Sequence, residues 1–434
     1  MQNKKNVYQK TLRRFQTLFK EFDQIYISFS GGKDSGVLLN LYMECMKLYA
    51  PEKRAIIFHL DYEVCYKKTE EYVYRTLEKY KDVADIYHIC VPFKVTTCTS
   101  MFQSYWRPWD DDKKDCWVRD RPKSCYTKDD FEFYREDMWD YEFQFCFANW
   151  LHQKNGAQKT CCLVGIRTQE SHNRWRAIFN NKKCAMYKGR NWTSLIHEDV
   201  YNAYPIYDWK TTDVWIANGK FKWDYNRLYD LYYQAGVSIE RQRVASPFLC
   251  EARESLKLYK VIDPNIWGRM LGRVNGVNFT ALYGATHAMA RKKILLPQGL
   301  TWQKYMLFLL DTLPEESKLM YEQKLQVSID FWRNKGGALS YTIIENLKQR
   351  NIPFTLDDSP YKTTKKAVKM EYLDELDIPD QHLLPTYKRV CICILRNDYH
   401  CRYMGFTLNK DEKIRQERVI SEYKNLKLYL NEQL

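Results

Sequence analysis

No two of the fourteen cysteines form a C-x-x-C pair. That removes the usual zinc-binding and thioredoxin-type redox spacings. No uncharged apolar run approaches the roughly 20 residues of a membrane span. The opening stretch MQNKKNVYQKTLRRFQTLFK is basic and lacks the apolar centre of a signal peptide. The expectation is a soluble, cytoplasmic protein with no membrane association and with reduced, partly buried thiols. Cys161 and Cys162 are adjacent in an apolar run, where a disulfide would be strained. Cys391, Cys393, His400 and Cys401 match no usual zinc spacing, and the alternation in VCICIL reads as a strand over 388–395. Internal repeats and low-complexity tracts are also missing, which excludes solenoids and linker-like chains.

What is present is an ordinary globular composition, 45% apolar and 28% charged, on 434 residues. Such a chain buries its own core and divides into two or three domains. The net charge is +14 and is unevenly placed. Residues 1–150 hold 24 basic and 24 acidic side chains, residues 151–300 hold 23 and 11, and residues 301–434 hold 21 and 19. An excess confined to the middle third favours an anionic partner or substrate, nucleic acid included, over a dispersed solubility device. A basic face without a ligand is the alternative. Arg269, Arg273, Arg291, Lys292 and Lys293 supply part of that excess.

Apolar spacing predicts a helix over 5–22, then the strand QIYISFS, the turn GGKDSG and the helix VLLNLYMECMKLY. RAIIFHLD and DIYHICVPF read as strands flanking the helix KKTEEYVYRTLEKY. This order implies parallel strands with right-handed crossovers. Residues 97–147, rich in Trp, Tyr and Asp, read as an insertion or lid, followed by a helix from Phe131 to Gln153. TCCLVGI is a buried strand, and TTDVWIANGK a helix capped by Thr211 or Thr212. Helices near 252–262, 301–311 and 318–334 follow, and SPYKTTKKAVKMEYLDELDIPD reads as loop and helix. The fold class is α/β, a Rossmann-like parallel sheet over residues 1–235, followed by a mainly helical domain with some strand over 236–434.

The segment Ser30-Gly31-Gly32-Lys33-Asp34-Ser35 lies between a strand and a helix, where an open α/β sheet binds its ligand. Its glycines permit a tight turn, its amides converge at a helix N-terminus, and Lys33 adds a point charge. The spacing is too short for G-x-x-x-x-G-K-[ST]. Downstream, Gly165 and Arg167 are followed by Glu170, Ser171 and Arg174, and Pro205-Ile206-Tyr207-Asp208-Trp209 by Asp213-Val214-Trp215. Asp61 closes the second strand. Trp117, Arg119, Arg121 and Pro122 bring an aromatic beside two cations inside the insertion.

SGGKDS in this setting resembles the PP-loop of the adenine nucleotide α-hydrolase superfamily. The two downstream segments resemble the phosphoadenosine phosphosulfate (PAPS) reductase branch of it. The resemblance implies a nucleotide held by Ser30, Gly31, Gly32, Lys33, Asp34, Ser35, Asp61, Gly165, Arg167 and Arg174, with Lys33 and Arg167 stabilising charge in catalysis. It implies ATP with Mg2+, cleaved at the α-phosphate to adenylate an acceptor, or PAPS as the alternative. No protein metal ligand is expected. The E-C-G-[IL]-H cysteine motif of PAPS reductases is absent, and so are the paired cysteines of iron–sulfur adenylyl-sulfate reductases. A non-enzymatic nucleotide sensor or nucleic-acid-binding regulator is the third alternative. Residues from Val261 onward, with IDPNIWGRMLGRVNGVNF and LLPQGLTWQKYMLFLLDTLP, resemble the domain attached to PAPS-reductase-like proteins of the bacterial immunoglobulin-binding-regulator type. That resemblance implies a ParB/sulfiredoxin-like protein as partner.

Overall fold

In the computed structural model, residues 6–179, 185–249, 252, 255–283, 294, 296–358, 365–378 and 380–406 are described. Helix α1 (Val7–Glu21) precedes strand β1 (Gln24–Ser28), helix α2 (Lys33–Tyr49), β2 (Ala55–Leu60), α3 (Lys67–Tyr80) and β3 (Ala84–Ile89). After two short paired strands, β4 (Val95–Thr96) and β5 (Tyr105–Trp106), come α4 (Asp140–Lys154), β6 (Thr160–Val164) and α5 (His172–Phe179). The hairpin β7 (Thr193–His197) and β8 (Val200–Ala203), then α6 (Thr211–Phe221) and α7 (Leu228–Gln234), follow.

Six of these strands form one sheet in the order β3-β2-β1-β6-β8-β7. All neighbours are parallel except the edge strand β7. Strand order reverses at β1, which pairs with β2 on one side and β6 on the other. A ligand cleft opens at such a reversal because the flanking crossovers diverge there, and SGGKDS leaves β1 at that point. Alternate residues of each strand serve two cores. Ile25, Ile27, Ile57, Cys161 and Leu163 pack with α1, α2, α3 and α6. Tyr26, Phe58, Tyr87 and Cys162 pack with Phe143, Phe147 and Leu151 of α4.

The insertion does not begin its helix at Phe131. Phe131 and Phe133 are buried in irregular chain, and α4 starts at Asp140, where Glu142 accepts the Trp139 N–H at 2.8 Å. Nor do Thr211 and Thr212 cap α6. The cap is Lys210, whose N–H is taken by Asp213 at 2.7 Å. The insertion also extends the sheet edge, since Tyr126 pairs with Ile89 beside β3.

Beyond α7 the chain forms α8 (Tyr259–Ile262), α9 (Pro264–Arg273), α10 (Val277–Tyr283), α11 (Trp302–Asp311) and α12 (Glu315–Asn334). Then come β9 (Gly337–Leu339), α13 (Tyr341–Gln349), β10 (Thr355–Asp357), β11 (Lys366–Lys369) and α14 (Tyr387–Leu395). Leu256, Tyr259, Met270, Val274 and Val277 enter the α4-side core of the sheet. The strand read over 388–395 is instead α14. Its Val390, Cys391, Ile392, Cys393 and Ile394 are all buried, and α11 packs against it. Period-two alternation carries no information where both phases are buried. The segment read as loop and helix contains β11, the centre of a small antiparallel sheet β10-β11-β9. No helix among the described residues is long and apolar enough to cross a membrane.

Candidate functional site

The loop is built by close approach. Gly31 adopts φ +73°, which glycine reaches without a steric cost, and a Cβ there would lie 2.8 Å from Val73. Gly32 caps α2, so the first amides of the helix face the end of the sheet. Ser30 and Ser35 tie the turn together, with the Ser30 N–H donating to Ser35 Oγ at 3.2 Å and the hydroxyls 3.0 Å apart. Gly165 follows β6 and touches the loop's own backbone. A Cβ there would stand 3.0 Å from the Ser35 nitrogen and 3.2 Å from the Asp34 carbonyl carbon. Gly165→Ala therefore forces two backbones apart. A loss of about 1–3 kcal/mol in urea unfolding is expected, with weaker nucleotide binding in the folded fraction.

Lys33 is 3% exposed. Its Nζ donates to the Gln242 carbonyl at 3.0 Å and lies 3.3 Å from Asp34. Burial lowers its pKa, and the Asp34 carboxylate acts in the opposite sense. Its backbone N–H donates to the Tyr229 hydroxyl at 3.0 Å. Asn226 donates to the Gly31 carbonyl. The chain after α6 thus folds over the loop.

Arg167 is placed beneath the loop. It is 1% exposed, its Nε donates to Asp34 at 2.6 Å, and Nη1 reaches Gln169, the Trp209 carbonyl and Thr211. Arg174 pairs with Glu170, four residues earlier. Within the downstream motif, Asp208 receives a two-pronged bond from Arg14 at 2.7 and 2.8 Å, and the Trp209 ring nitrogen donates to Thr11. That motif therefore fastens α1 to the sheet.

Asp61 lies on the other side of the loop. Ser30, His59, Asp61, His88 and Arg119 line one cavity of 130 Å³. Arg119 donates to Asp61 Oδ1 at 2.5 Å and His88 Nε2 to Oδ2 at 2.9 Å. Burial opposes ionisation of Asp61, but Arg119 and the His88 bond outweigh it and hold the carboxyl well below its usual range. His59 is buried, and burial together with the neighbouring His88 lowers it to about 4. Arg119 also reaches the Glu63 carbonyl and Glu70, so the arginine of CWVRDRP anchors the insertion to the strand ends. Arg121 pairs with Asp111 and lies over the Trp117 ring. On the α4 face, a second cavity of 480 Å³ is lined by Tyr26, Ser28, Phe58, Tyr141, Ile166 and Tyr204, among others.

Sequence reasoning missed His59, Glu63, His88, Tyr229 and Gln242. The one available signal was a pair of histidines near the ends of two adjacent predicted strands. Arg273, part of the charge excess of residues 151–300, is turned inward onto Glu63. Arg269 donates to the Val118 carbonyl. Arg291, Lys292 and Lys293 lie outside the described residues. The carboxylates of Asp34 and Asp61 are engaged by cations and do not form an oxygen cage for Mg2+. Cys161, Cys162, Cys391, Cys393 and Cys401 are buried. His400 engages Thr96 at 2.8 Å.

Residues 24–235 match the model of the phosphoadenosine phosphosulfate reductase domain. Residues 236–415 match that of a domain of unknown function (DUF3440). The uncharacterized protein YbdN of Escherichia coli K12 is 31% identical over 412 residues, covering 94% of this chain and 92% of that one. Among solved structures, the FMN adenylyltransferase of Candida glabrata with ATP is 16% identical over 53% of this chain and 61% of its own, with TM-score 0.29. The PAPS reductase of Candida auris is 14% identical over 51% and 83%, with TM-score 0.27. The U34-tRNA thiolase NcsA of Methanococcus maripaludis is 14% identical over 64% and 79%, with TM-score 0.30.

Proposed function

The chain belongs to the PAPS reductase domain family of the PP-loop superfamily, with a DUF3440 domain attached, and on that footing we propose an enzyme that binds ATP and transfers its adenylyl group. An acceptor attacks the α-phosphorus, the α–β phosphoanhydride bond breaks, and pyrophosphate leaves. The observation that carries this reading is the loop itself: Ser30 to Ser35 at the reversal of the sheet, with Lys33 buried at the helix start. Lys33 and the amides of Gly31, Gly32 and Ser35 neutralise the phosphates. Arg167 positions Asp34, and Asp34 in turn faces the Lys33 ammonium. Gly165 permits the contact between β6 and the loop. Asp61 shapes the cavity wall beside Ser30, and Arg174 steadies the turn after Arg167 through Glu170. The acceptor class is a nucleic acid, on the strength of the charge excess in residues 151–300.

The test is pyrophosphate release from ATP, alone and with RNA or DNA, with calorimetry of ATP, PAPS and AMP side by side. Release with one acceptor, lost in Lys33→Met, is expected. Tighter binding of PAPS than ATP would overturn the reading in favour of sulfonucleotide chemistry. Salt-dependent nucleic-acid binding without turnover would turn it into a regulator.

A pH dependence follows from burial of Lys33. A lysine whose pKa is depressed loses its charge at a lower pH than the ~10.4 of a free lysine. Nucleotide affinity, which needs the ammonium, should be intact near neutrality and decline as pH rises, earlier than free-lysine titration predicts. Calorimetry across an alkaline pH series checks this, and Lys33→Met should flatten the profile.

A further inference from the structure

Strands β2 and β3 pair in parallel with His59 directly opposite His88. Paired residues share a face, and Asp61, two residues on from His59, returns to that face. The register thus gathers two imidazoles and a carboxylate at one corner of the cavity that Ser30 also lines. All three are buried, at 7%, 5% and 5% exposure, and one donor atom from each lies within 4.8 Å of the others.

We infer that His59, Asp61 and His88 form a binding site for a first-row transition-metal dication. The hydrogen bonds around the cluster are those of a prepared ligand set. His59 Nδ1 lies 2.7 Å from the Phe29 carbonyl. A carbonyl only accepts, so Nδ1 carries the proton and Nε2 the lone pair. Metal-ligating histidines are oriented in this way. Asp61 Oδ1 is saturated by Arg119 and the Glu63 N–H, which fixes the carboxylate and leaves Oδ2 facing His88. Asp61 and Glu70 against Arg119 leave one net negative charge when the imidazoles are neutral. Two nitrogens and one oxygen suit Zn2+, Co2+ or Fe2+ rather than Mg2+ or Ca2+, which take oxygen sets. The His88 Nε2–H now donates to Asp61. On binding, the neutral ring changes tautomer: Nε2 gives its proton to solvent, Nδ1 takes one from it, and the dication sits between ring and carboxylate with no net proton released. The remaining coordination positions open to the cavity beside Ser30.

This inference stands whether or not ATP is turned over, because its test contains no nucleotide. The full chain is stripped with chelator and titrated with Co2+, followed by calorimetry in buffers of different ionisation enthalpy and by visible spectra. One equivalent is expected, with no net proton released at a pH where both rings are neutral. Only weak ligand-field bands should appear, without the intense thiolate-to-cobalt absorption that cysteine binding would give. His59→Gln and His88→Gln should each weaken binding by at least about 10–100-fold, the loss typical even of a supporting partner. Lys33→Met should leave it unchanged. Thermal melts in chelator identify a variant that fails to fold, and the other histidine variant then decides. Absence of saturable binding, a thiolate band, or unchanged affinity in both histidine variants would overturn the site.

Discussion

Lys33→Met should cut affinity for ATP by roughly 10- to 150-fold while the chain stays folded. Charge-assisted hydrogen bonds contribute about 1.5–3 kcal/mol each, and 1.4 kcal/mol is a factor of ten. Methionine keeps most of the length and the apolar stem of the lysine, so the space beside Asp34 and the Tyr229 ring remains filled. Losing Nζ also frees the Gln242 carbonyl and leaves Asp34 with Arg167 alone. Burial of the ammonium without its carboxylate would be costly, but removing the cation leaves a carboxylate that still has an arginine at 2.6 Å. The fold should therefore survive, as circular dichroism and urea unfolding can verify. Calorimetry with ATP reads the binding loss. An affinity within about threefold of the parent would show that the loop amides suffice and that Lys33 serves the fold instead.

The loop was readable because its defining residues are local, although the groups that pack on it are distant. Two glycines, a lysine and two hydroxyls fall within six residues between a strand and a helix, and the structure keeps them there. The parallel strands were readable for a related reason. QIYIS, AIIFHL and TCCLV are buried on both faces, so their apolar runs are nearly continuous. Where burial surrounds a helix, the same signature misleads. VCICIL is as apolar as a central strand, and only its packing against α11 makes it α14. The far side of the site was not readable, because it depends on register and on distant partners. His59 and His88 stand 29 residues apart and meet only when β2 and β3 pair. The charge asymmetry also changes meaning in three dimensions. Arg167, Lys188, Arg190 and Arg273 of the basic segment pair with Asp34, Glu21 and Glu63 of the neutral one. Arg14–Asp208 and Arg75–Asp224 run the other way. Part of the excess of 23 basic over 11 acidic residues in 151–300 is therefore used in joining segments of the fold, and that part is not available to an anionic partner.

Arg273→Met should destabilise the protein by about 3–5 kcal/mol, the usual cost of stranding one member of a buried ion pair. Glu63 is wholly buried, three residues beyond the end of β2. Arg273 grips it with Nε and Nη2, both at 2.9 Å. The same carboxylate accepts the Trp109 and Val118 N–H groups at 2.8 and 3.0 Å. One side chain thus joins the sheet, the insertion and α9. Arg273 also donates to the Arg107 carbonyl at 2.6 Å, so its loss leaves a second acceptor without that donor. Glu63→Gln should cost a similar amount, because one amide oxygen still accepts but the NH2 cannot accept from the guanidinium or from the second backbone N–H, and the Arg273 cation is left without its counter-charge. The double variant Glu63→Gln/Arg273→Met should cost less than the sum of the two, since the charge left behind by the second change is gone. Recovery cannot be complete, because the Trp109 and Val118 N–H groups still need acceptors. Urea unfolding of the four proteins completes the cycle. A single-variant loss below about 1 kcal/mol for Arg273→Met would place the pair with exposed salt bridges. The structure gives the opposite setting, side chains at 1% and 0% exposure. Weakening this joint should also loosen Arg119, which holds both the Glu63 carbonyl and Asp61, so metal and nucleotide affinity should fall with stability in Arg273→Met.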